Sequence, residues 1–342
     1  MRAMQLDRPA PVGDEPLRLV ERAVPEPGPG QVLVRVSACG ICRTDLHVVE
    51  GELPPVRSPI VPGHQIVGRL ERVGPGVTGR RIGERVGIAW LGRTCGTCAH
   101  CATGRENLCE SAEFTGYHAD GGYADYVLAR ADFAYTIPDV FADAEAAPLL
   151  CAGIIGYRAL RLSRVAPGQR LVMYGFGSSA HITMQVALAR GVEVDVCTRE
   201  PTHRALALSL GAAWAGGLAD RPPAPAAGAI IFAPAGELVP LALRNLAPGG
   251  TLALAGIYMT AIPSLDYSDL YRERTITTVT ANTRDDGREL LAEAGRIPLR
   301  PTVTTFPLAE ANRALQALKA GAFAGSGVLD LTESGGATAG GV

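Results

Sequence analysis

A glycine-rich turn between a predicted strand and a predicted helix constrains the fold of this chain more than any other feature. Arg170–Tyr174 is an apolar run typical of a buried strand, and apolar residues recur at helical spacing over Ser179–Arg190. The turn has the pattern G-x-G-x-x-A, with Gly175, Phe176, Gly177, Ser178, Ser179 and Ala180. Glycines there allow a tight turn and let a pyrophosphate approach the helix N-terminus. The pattern is weak alone, but in this context it predicts a dinucleotide site.

Strands and helices alternate in the chain beyond Pro167. Helices are predicted over Pro201–Gly211 and Glu237–Leu246. The further predicted strands are Val192–Cys197, Gly228–Ala233, Thr251–Ala255 and Thr275–Val279. Strand, helix and strand in series predict an α/β architecture in which a doubly wound parallel sheet of the Rossmann type binds the coenzyme.

The first 150 residues or so have a different pattern. Short alternating runs separated by proline and glycine predict an antiparallel, β-rich domain, with the first helix over Asp143–Leu162. The runs are Gln31–Ser37, Ile66–Val73 and Arg85–Ala89. Near the end, Pro307–Ala320 is predicted as a helix and Gly327–Leu331 as a strand, and the tail Ser334–Val342 is expected to be loose. A chain of 342 residues is long enough for two such domains.

Charge and hydropathy exclude several classes of function. The formal net charge is −2 and no basic stripe occurs, which argues against a nucleic-acid-binding protein. No apolar run reaches the roughly 18 residues of a membrane span. Met1–Pro11 lacks the apolar segment of a signal peptide, so we expect a cytoplasmic protein without membrane partners.

Four cysteines close together indicate a metal site. Cys95, Cys98, Cys101 and Cys109 follow the spacing C-x2-C-x2-C-x7-C, and four thiolates can complete a tetrahedron around zinc. Such a site leaves no position for water or substrate, so its role would be structural. An iron–sulfur run of the ferredoxin type has three residues before its last cysteine and then proline, whereas here the gap is seven and Glu110 follows. Free or disulfide-bonded cysteines are the other alternative.

A second set of metal-ligating types is dispersed along the chain. Cys42 begins the run Cys42-Arg-Thr44-Asp45-Leu-His47, and His64 and Cys151 follow later. Each cysteine or histidine alone would more often be a core residue. Together they fit a catalytic zinc with two thiolates, one imidazole and an open fourth position.

An open zinc stabilises an alkoxide at neutral pH and polarises a carbonyl for hydride attack. Asp45 suits the orientation of a ligating histidine. Thr44 and His47 suit a proton relay to solvent. The two remaining cysteines, Cys39 and Cys197, are expected to fill cores.

The end of the second predicted Rossmann strand bears on the choice of dinucleotide. An NAD site holds the adenosine ribose with an acidic residue there, but Asp195 lies within the strand and Glu200 comes late. Thr198 and Arg199 offer a hydroxyl and a cation that suit the 2′-phosphate of NADP, so NADP(H) is favoured over NAD(H). The alternative is a solvated arginine at a strand end.

Together these residues resemble the zinc-dependent alcohol dehydrogenases of the medium-chain dehydrogenase/reductase superfamily, over about residues 1–331. The resemblance implies a GroES-like catalytic domain over residues 1–153, a Rossmann coenzyme domain over 154–283 and a return to the catalytic domain over 284–342. It also implies a homo-dimer or homo-tetramer acting on a small-molecule alcohol or aldehyde. Carried over residue by residue, it assigns the catalytic zinc to Cys42, His64 and Cys151 and the structural zinc to Cys95, Cys98, Cys101 and Cys109.

The resemblance also assigns a substrate pocket and shows three departures. Trp90 falls where family members place an aromatic pocket residue, Leu53 and Ile257 would line the rest, and Ile257 would also contact the cofactor. Gln65 follows the histidine ligand where the family usually has glutamate, and a neutral amide cannot serve as a passing anionic ligand. Ile155 replaces a frequent threonine behind the nicotinamide, and Ser326 replaces an arginine that often contacts the pyrophosphate.

The sequence therefore predicts reversible hydride transfer between a primary alcohol, or its aldehyde, and a nicotinamide cofactor. The alternative within the superfamily is a polyol or aromatic-alcohol dehydrogenase. A zinc-free quinone reductase-like protein or a binding protein on the same scaffold would not need all three of Cys42, His64 and Cys151. A zinc-ribbon interaction module would explain the four clustered cysteines but not the glycine-rich turn.

Overall fold

The computed structural model of the protein describes residues 1–332, so the prediction for the tail Ser334–Val342 lies outside the described residues. The chain divides into two compact units. The first comprises Met1–Leu150 and the chain from Thr302 onward, and the second is Cys151–Pro301.

The first unit begins with nine short strands. They are β1 (Arg2–Leu6), β2 (Leu17–Glu21), β3 (Gln31–Ile41), β4 (Gln65–Val73), β5 (Arg85–Ile88), β6 (Leu91–Arg93), β7 (Glu113–Phe114), β8 (Tyr126–Arg130) and β9 (Ala134–Thr136). Its helices in this segment are α1 (Arg43–Glu50), α2 (Ala99–Ala102) and α3 (Asp143–Ala146), with 3-10 turns at Val12–Asp14, Glu106–Leu108, Ala131–Phe133 and Ala147–Leu150. β3 pairs with β4 and β8 in antiparallel register, and β4 pairs with β5, as the alternating runs predict.

Helix α1 is a correction to the sequence analysis, which expected the first helix only at Asp143. The helix begins directly after β3 because the Cys42 N–H donates to Asp45 Oδ2 at 2.8 Å, which closes the first turn. It ends at Gly51, whose φ of 78° places it in the left-handed region. Thr44, Asp45 and His47 therefore lie on a helix rather than on a loop.

The second unit is a parallel sheet covered by helices. Its strands are β10 (Arg170–Tyr174), β11 (Glu193–Cys197), β12 (Trp214–Gly216), β13 (Ala226–Ile231), β14 (Leu246–Leu254) and β15 (Thr275–Thr278). Its helices are α4 (Ala152–Leu162), α5 (Ser178–Ala189), α6 (Pro201–Ser209), α7 (Leu238–Arg244), α8 (Tyr267–Leu270) and α9 (Arg284–Ala294). The strand order β12-β11-β10-β13-β14-β15 is that of a doubly wound Rossmann sheet, which confirms the predicted fold class.

The helix predicted over Asp143–Leu162 is interrupted. Pro148 lacks a backbone N–H, so residues Ala147–Leu150 form a 3-10 turn, and Cys151 has non-helical angles of φ −135° and ψ −71° before α4 begins. This break separates the helical turns of the first unit from α4 of the second.

The chain returns to the first unit at Thr302, whereas the sequence analysis places the return at Arg284. Helix α9 belongs to the second unit because Asp286, fully buried, accepts from Arg158 at 2.8 Å and pairs with Arg161 at 2.7 Å. The Asp286 carboxylate also accepts from the backbone N–H of Thr283 and so caps the helix that it anchors.

The returning segment completes a seven-stranded sheet in the first unit. It forms β16 (Val303–Pro307), a 3-10 turn at Leu308–Glu310, α10 (Ala311–Ala320) and β17 (Ser326–Asp330). The helix predicted from Pro307 therefore starts later, because Val303–Pro307 pairs with β17 as a strand. The sheet runs β16-β17-β3-β4-β5-β9, with β8 also on β3.

Candidate functional site

Three metal-ligating side chains that lie far apart in the sequence meet in space. Cys42 lies between β3 and α1, His64 precedes β4, and Cys151 follows Leu150 at the break before α4. Their donor atoms all lie within 4.8 Å of one another, and Cys42 Sγ is 3.3 Å from His64 Nε2. Two thiolates and one imidazole in such a group are the donors that zinc prefers, and three protein ligands leave a fourth position open. The residues present therefore fit a catalytic zinc.

Asp45 orients His64. The His64 Nδ1–H donates to Asp45 Oδ1 over 3.2 Å, while Asp45 Oδ2 accepts from the Cys42 N–H. This leaves His64 Nε2 directed at Cys42 Sγ, as expected when a carboxylate fixes the tautomer of a ligating histidine. Burial disfavours the charged imidazole, but Asp45 and Cys42 outweigh that effect and raise the pKa of His64 to about 10.

Gly63 and Gln65 flank the histidine and are both constrained. Gly63 has a φ of +97°, and a Cβ there would lie 2.4 Å from the ring of Tyr123, so only glycine fits. Gln65 is buried opposite Gly40 on β3, and its Nε2 has no hydrogen-bond partner among residues 1–332. The amide that replaces the usual glutamate is thus next to the candidate ligand, without a charge.

The predicted relay residues lie on α1. Thr44 is buried, and the imidazole Nδ1 of His47 contacts the carboxylate of Glu52. Glu52 was not predicted as a site residue. It lies five residues after His47, directly beyond the helix-ending Gly51, where the chain turns back toward α1. The His47–Glu52 pair parallels the His64–Asp45 pair.

Trp90 packs directly on the candidate metal ligand. Its ring meets His64 edge-on at 4.9 Å and stacks on Phe114 at 4.9 Å and 9°, with Tyr117 at 6.0 Å. Phe114 and Tyr117 were not predicted as site residues, although two aromatics spaced three apart in the strand-to-turn segment after β7 were a usable signal. Because Trp90 contacts His64, it forms a wall beside the metal-ligating group.

Leu53 and Ile257 lie in different surroundings. Leu53 lines a small apolar cavity with Tyr117, whose hydroxyl donates to Pro54 O at 2.6 Å. Ile257 lies in the turn after β14 and is 41% exposed. The structure brings Leu53 into the aromatic group of the first unit and places Ile257 in the second unit.

The glycine-rich turn has the predicted form. β10 ends at Tyr174, Gly175 has a φ of +85°, and α5 begins at Ser178 after Gly177. A Cβ on Gly177 would meet no atom within 4 Å, so a ligand could approach this backbone closely. Phe176 is buried and anchors the turn. The N-terminus of α5 presents the N–H groups of its first turn, which suit an anion such as a pyrophosphate.

At the end of β11, two arginines lie near the predicted 2′-phosphate position. Asp195 is fully buried and accepts from Arg170 at 2.6 Å, so it is committed within the sheet. Arg199 is exposed, and Arg204 on α6 donates to Thr198 O at 2.9 Å and Arg199 O at 2.8 Å. Arg204 was not predicted as a cofactor residue. It lies one helical turn after Pro201, the first residue of α6.

The four clustered cysteines form a second metal-ligating group. The Sγ atoms of Cys95, Cys98, Cys101 and Cys109 all lie within 4.8 Å of one another, and all eight cysteines of the chain are free thiols. The Cys98 N–H donates to Cys95 Sγ at 3.3 Å, and the Cys95 N–H to Cys109 Sγ at 3.5 Å. The backbone of Thr97 and Cys98 lowers the pKa of Cys95 to about 6, so that thiolate forms readily. Cys39 and Cys197 are fully buried, as expected of core residues.

Two thiol-rich metal-ligating groups, one of which includes Cys151, occur in a chain that combines a β-rich unit with a Rossmann sheet and a glycine-rich turn. This combination defines a metal-assisted, nicotinamide-dependent oxidoreductase. Residues 28–139 match the family model of the alcohol dehydrogenase GroES-like domain. The chain is 51% identical over 335 residues to a probable alcohol dehydrogenase, AdhA, of Mycobacterium tuberculosis, covering 96% of this chain and 97% of the relative. It therefore belongs to the alcohol dehydrogenases of the medium-chain dehydrogenase/reductase superfamily.

Solved structures agree with this assignment. A cinnamyl alcohol dehydrogenase of Sorghum bicolor superposes with a TM-score of 0.89 at 27% identity, covering 98% of both chains. A CAD from Helicobacter pylori, solved with NADP(H), superposes with a TM-score of 0.85 at 25% identity, covering 98% of this chain and 100% of the other. Between residues 1 and 332, no helix is both long and apolar enough to cross a membrane.

Proposed function

We propose that this alcohol dehydrogenase uses zinc and NADP(H) to interconvert primary alcohols and their aldehydes. The observation that carries the proposal is the convergence of Cys42, His64 and Cys151 donor atoms within 4.8 Å, with Asp45 fixing the imidazole. A zinc-free reductase or a binding protein would not need this set.

Cys42, His64 and Cys151 would hold the metal and leave one position for substrate. The bound groups supply Lewis-acid activation of the substrate oxygen and hydride exchange with a nicotinamide ring. Asp45 holds a proton on His64 Nδ1, so a metal ion that displaces the Nε2 proton would find Nε2 as its ligand atom. Trp90 covers one side of His64 and excludes water from that side.

Thr44 and His47 would move the proton that an alcohol must lose when it is oxidised. The Thr44 hydroxyl accepts that proton while it passes its own onward, and His47 carries the charge toward solvent. Glu52, in contact with His47 Nδ1, would hold the imidazole ring in position for this transfer. In aldehyde reduction the same groups deliver the proton in the opposite direction.

The four clustered cysteines would hold a second zinc with a structural role. Four thiolates within 4.8 Å complete a tetrahedral shell, so no position remains for substrate. Backbone N–H groups that donate to Cys95 and Cys109 stabilise the thiolates.

The preference for NADP(H) over NAD(H) is supported by charge at the end of β11. Arg199 and Arg204 offer cations, and Thr198 offers a hydroxyl, whereas Asp195 is engaged by Arg170 and is not available to a ribose 2′-OH. Gly175, Phe176, Gly177, Ser178, Ser179 and Ala180 would hold the pyrophosphate.

Aromatic alcohols are the second candidate substrate class. The stacked Trp90–Phe114 pair offers planar surfaces, and a structural relative is a cinnamyl alcohol dehydrogenase. Leu53, smaller than an aromatic residue, leaves room beside Tyr117. Turnover of ethanol, benzyl alcohol and sorbitol with NADP⁺ and with NAD⁺ separates the classes. We expect short primary alcohols with NADP⁺ to give the highest kcat/KM, and a higher value for benzyl alcohol or sorbitol would replace the primary-alcohol proposal.

A homo-dimer or homo-tetramer is the proposed assembly. β15 is the last strand of the Rossmann sheet, and it is preceded by the exposed Tyr267 on α8 and the exposed Tyr271 directly after α8. An edge strand next to exposed aromatics suits pairing with the same strand of a second copy. Light scattering at micromolar concentration should give two or four times the mass of 35.7 kDa, and a monomer mass would contradict this proposal.

A further inference from the structure

Tyr123 has a hydroxyl that the proposed chemistry does not use. The side chain is 0% exposed, and its ring lies against Gly63, the residue before His64. The Tyr123 N–H donates to Pro62 O at 3.0 Å, so the backbone also ties this residue to the His64 segment. The phenol oxygen has no partner at hydrogen-bond geometry within the described part of the chain. A buried hydroxyl without a partner is costly, so its position calls for a function.

The Asp45 carboxylate lies close enough to the Tyr123 hydroxyl to act on it electrostatically. Burial and the proximity of Asp45 raise the pKa of Tyr123 well above its usual value, so the phenol keeps its proton and can act as a donor. Asp45 is itself 1% exposed. It accepts one N–H from Cys42 and one from His64, and a carboxylate has lone pairs for further donors.

We propose that Tyr123 is a positioning residue, which donates its hydroxyl proton to the Asp45 carboxylate and thereby holds Asp45 in the orientation that directs His64 Nε2 at the metal. This inference rests on the proposed function, because it concerns the same zinc site. Tyr123 touches neither substrate nor metal, and acts through Asp45 and His64. Phenylalanine would fill the same space against Gly63 but could not donate.

The expected consequence is weaker metal retention without loss of the fold. Partners behind a ligating histidine typically change metal affinity by about 10- to 100-fold when removed, and Tyr123 is one step further out. We therefore expect Tyr123→Phe to release zinc from the Cys42 site three- to tenfold faster, with its melting temperature within a few degrees of wild type.

The test measures zinc transfer from the purified protein to a chromogenic chelator. Zinc release is expected in two kinetic phases. The phase that is missing in Cys42→Ala identifies the Cys42 site, and the phase that remains belongs to the four-cysteine group. Tyr174→Phe is the matched control. Tyr174 is also fully buried, and the substitution removes a hydroxyl that accepts from Asn245 within the second unit. The visible spectrum of the cobalt-substituted protein provides a second readout, which should shift in Tyr123→Phe and not in Tyr174→Phe.

A double variant tests the route through Asp45. If the phenol acts on that carboxylate, Tyr123→Phe should have no further effect on zinc release in an Asp45→Asn background. Unchanged release and an unchanged cobalt spectrum in Tyr123→Phe would overturn the inference, as would full additivity with Asp45→Asn. Wild-type protein without metal at the Cys42 site would instead refute the proposed function, so the two failures are distinguishable.

Discussion

Charged side chains at the end of β11 carry the proposed preference for NADP(H). Asp195 is an acidic residue of the kind that holds the ribose in an NAD site. Its carboxylate, however, is paired inside the sheet with the Arg170 guanidinium, at an N–O distance of 2.6 Å. The exposed Arg199 and the backbone-bound Arg204 remain for an anionic ribose substituent. The preference thus depends on which charge is neutralised within the fold and which is left accessible.

Arg199→Ala should reduce the preference for NADPH. A hydrogen bond to a charged group contributes about 1.5–3 kcal/mol, so we expect KM for NADPH to rise about tenfold or more, with KM for NADH little changed. Steady-state kinetics with both cofactors measures the ratio. Arg288→Ala, an exposed arginine on α9, is the control. An unchanged NADPH preference in Arg199→Ala would refute the role of Arg199.

His181 makes the stability of the second unit depend on pH. It is fully buried on α5, and desolvation lowers its pKa to about 4, although the Gly177 and Ser178 backbone opposes the shift. Because this folded-state pKa lies below the ordinary value, the contribution to stability is complete above about pH 6.5 and is lost as pH falls toward 4.

Urea unfolding at pH 7 and pH 4 tests this dependence. We expect wild type to lose about 3 kcal/mol more than His181→Gln over that range, at 1.36 kcal/mol per pKa unit. Comparing the two proteins removes contributions shared by other titrating groups. Equal losses in both proteins would show that His181 is protonated as readily in the folded state as in the unfolded state.

At the scale of elements, caps and buried ion pairs decide where helices belong. Helix α9 was assigned from sequence to the first unit, and the buried Asp286 between Arg158 and Arg161 places it in the second. Helix α1 was not predicted because Cys42 and Asp45 were interpreted only as residues of a metal site. In the structure Asp45 also closes the first turn of α1.

Asp286→Ala should destabilise the second unit strongly. Removing it leaves Arg158 buried without its partner and uncaps α9, and breaking such a pair costs about 3–5 kcal/mol. Asp285→Ala, its exposed neighbour, should change stability by less than about 0.5 kcal/mol. Denaturant midpoints measure both. Similar midpoints for the two variants would show that the buried pairs do not hold α9.

The site was predictable from sequence where chemistry depends on residue type and spacing. The four cysteines, the Cys42–His47 run and the glycine-rich turn have such signatures. Glu52, Phe114 and Tyr117 offered only their spacing as a signal. Arg204 and Tyr123 have no signature of their own, because their roles arise from tertiary contacts. The alternation of strands and helices predicted the doubly wound parallel sheet, whereas the strand order and the helix break at Cys151 came only from the structure.

The whole molecule has two metal-ligating groups that suit two different tasks. The four-cysteine group has a closed shell and should support the fold, whereas the Cys42 group has an open position and should support turnover.

Cys98→Ser tests the structural half of that assignment. We expect it to lose one zinc per chain and several degrees of melting temperature, while the folded fraction at low temperature keeps most of its kcat. Metal analysis with a thermal scan measures both. Loss of turnover in fully folded Cys98→Ser protein would contradict a purely structural role.

The most direct test of the central claim compares zinc content and turnover in Cys42→Ala and Cys39→Ala. Both replace a cysteine near the end of β3, but only Cys42 belongs to the metal-ligating group. Two zincs per chain are predicted for wild type and Cys39→Ala, and one for a folded Cys42→Ala without measurable alcohol oxidation. Cys42→Ala that keeps two zincs, or turns over alcohol at the wild-type rate, would contradict the account.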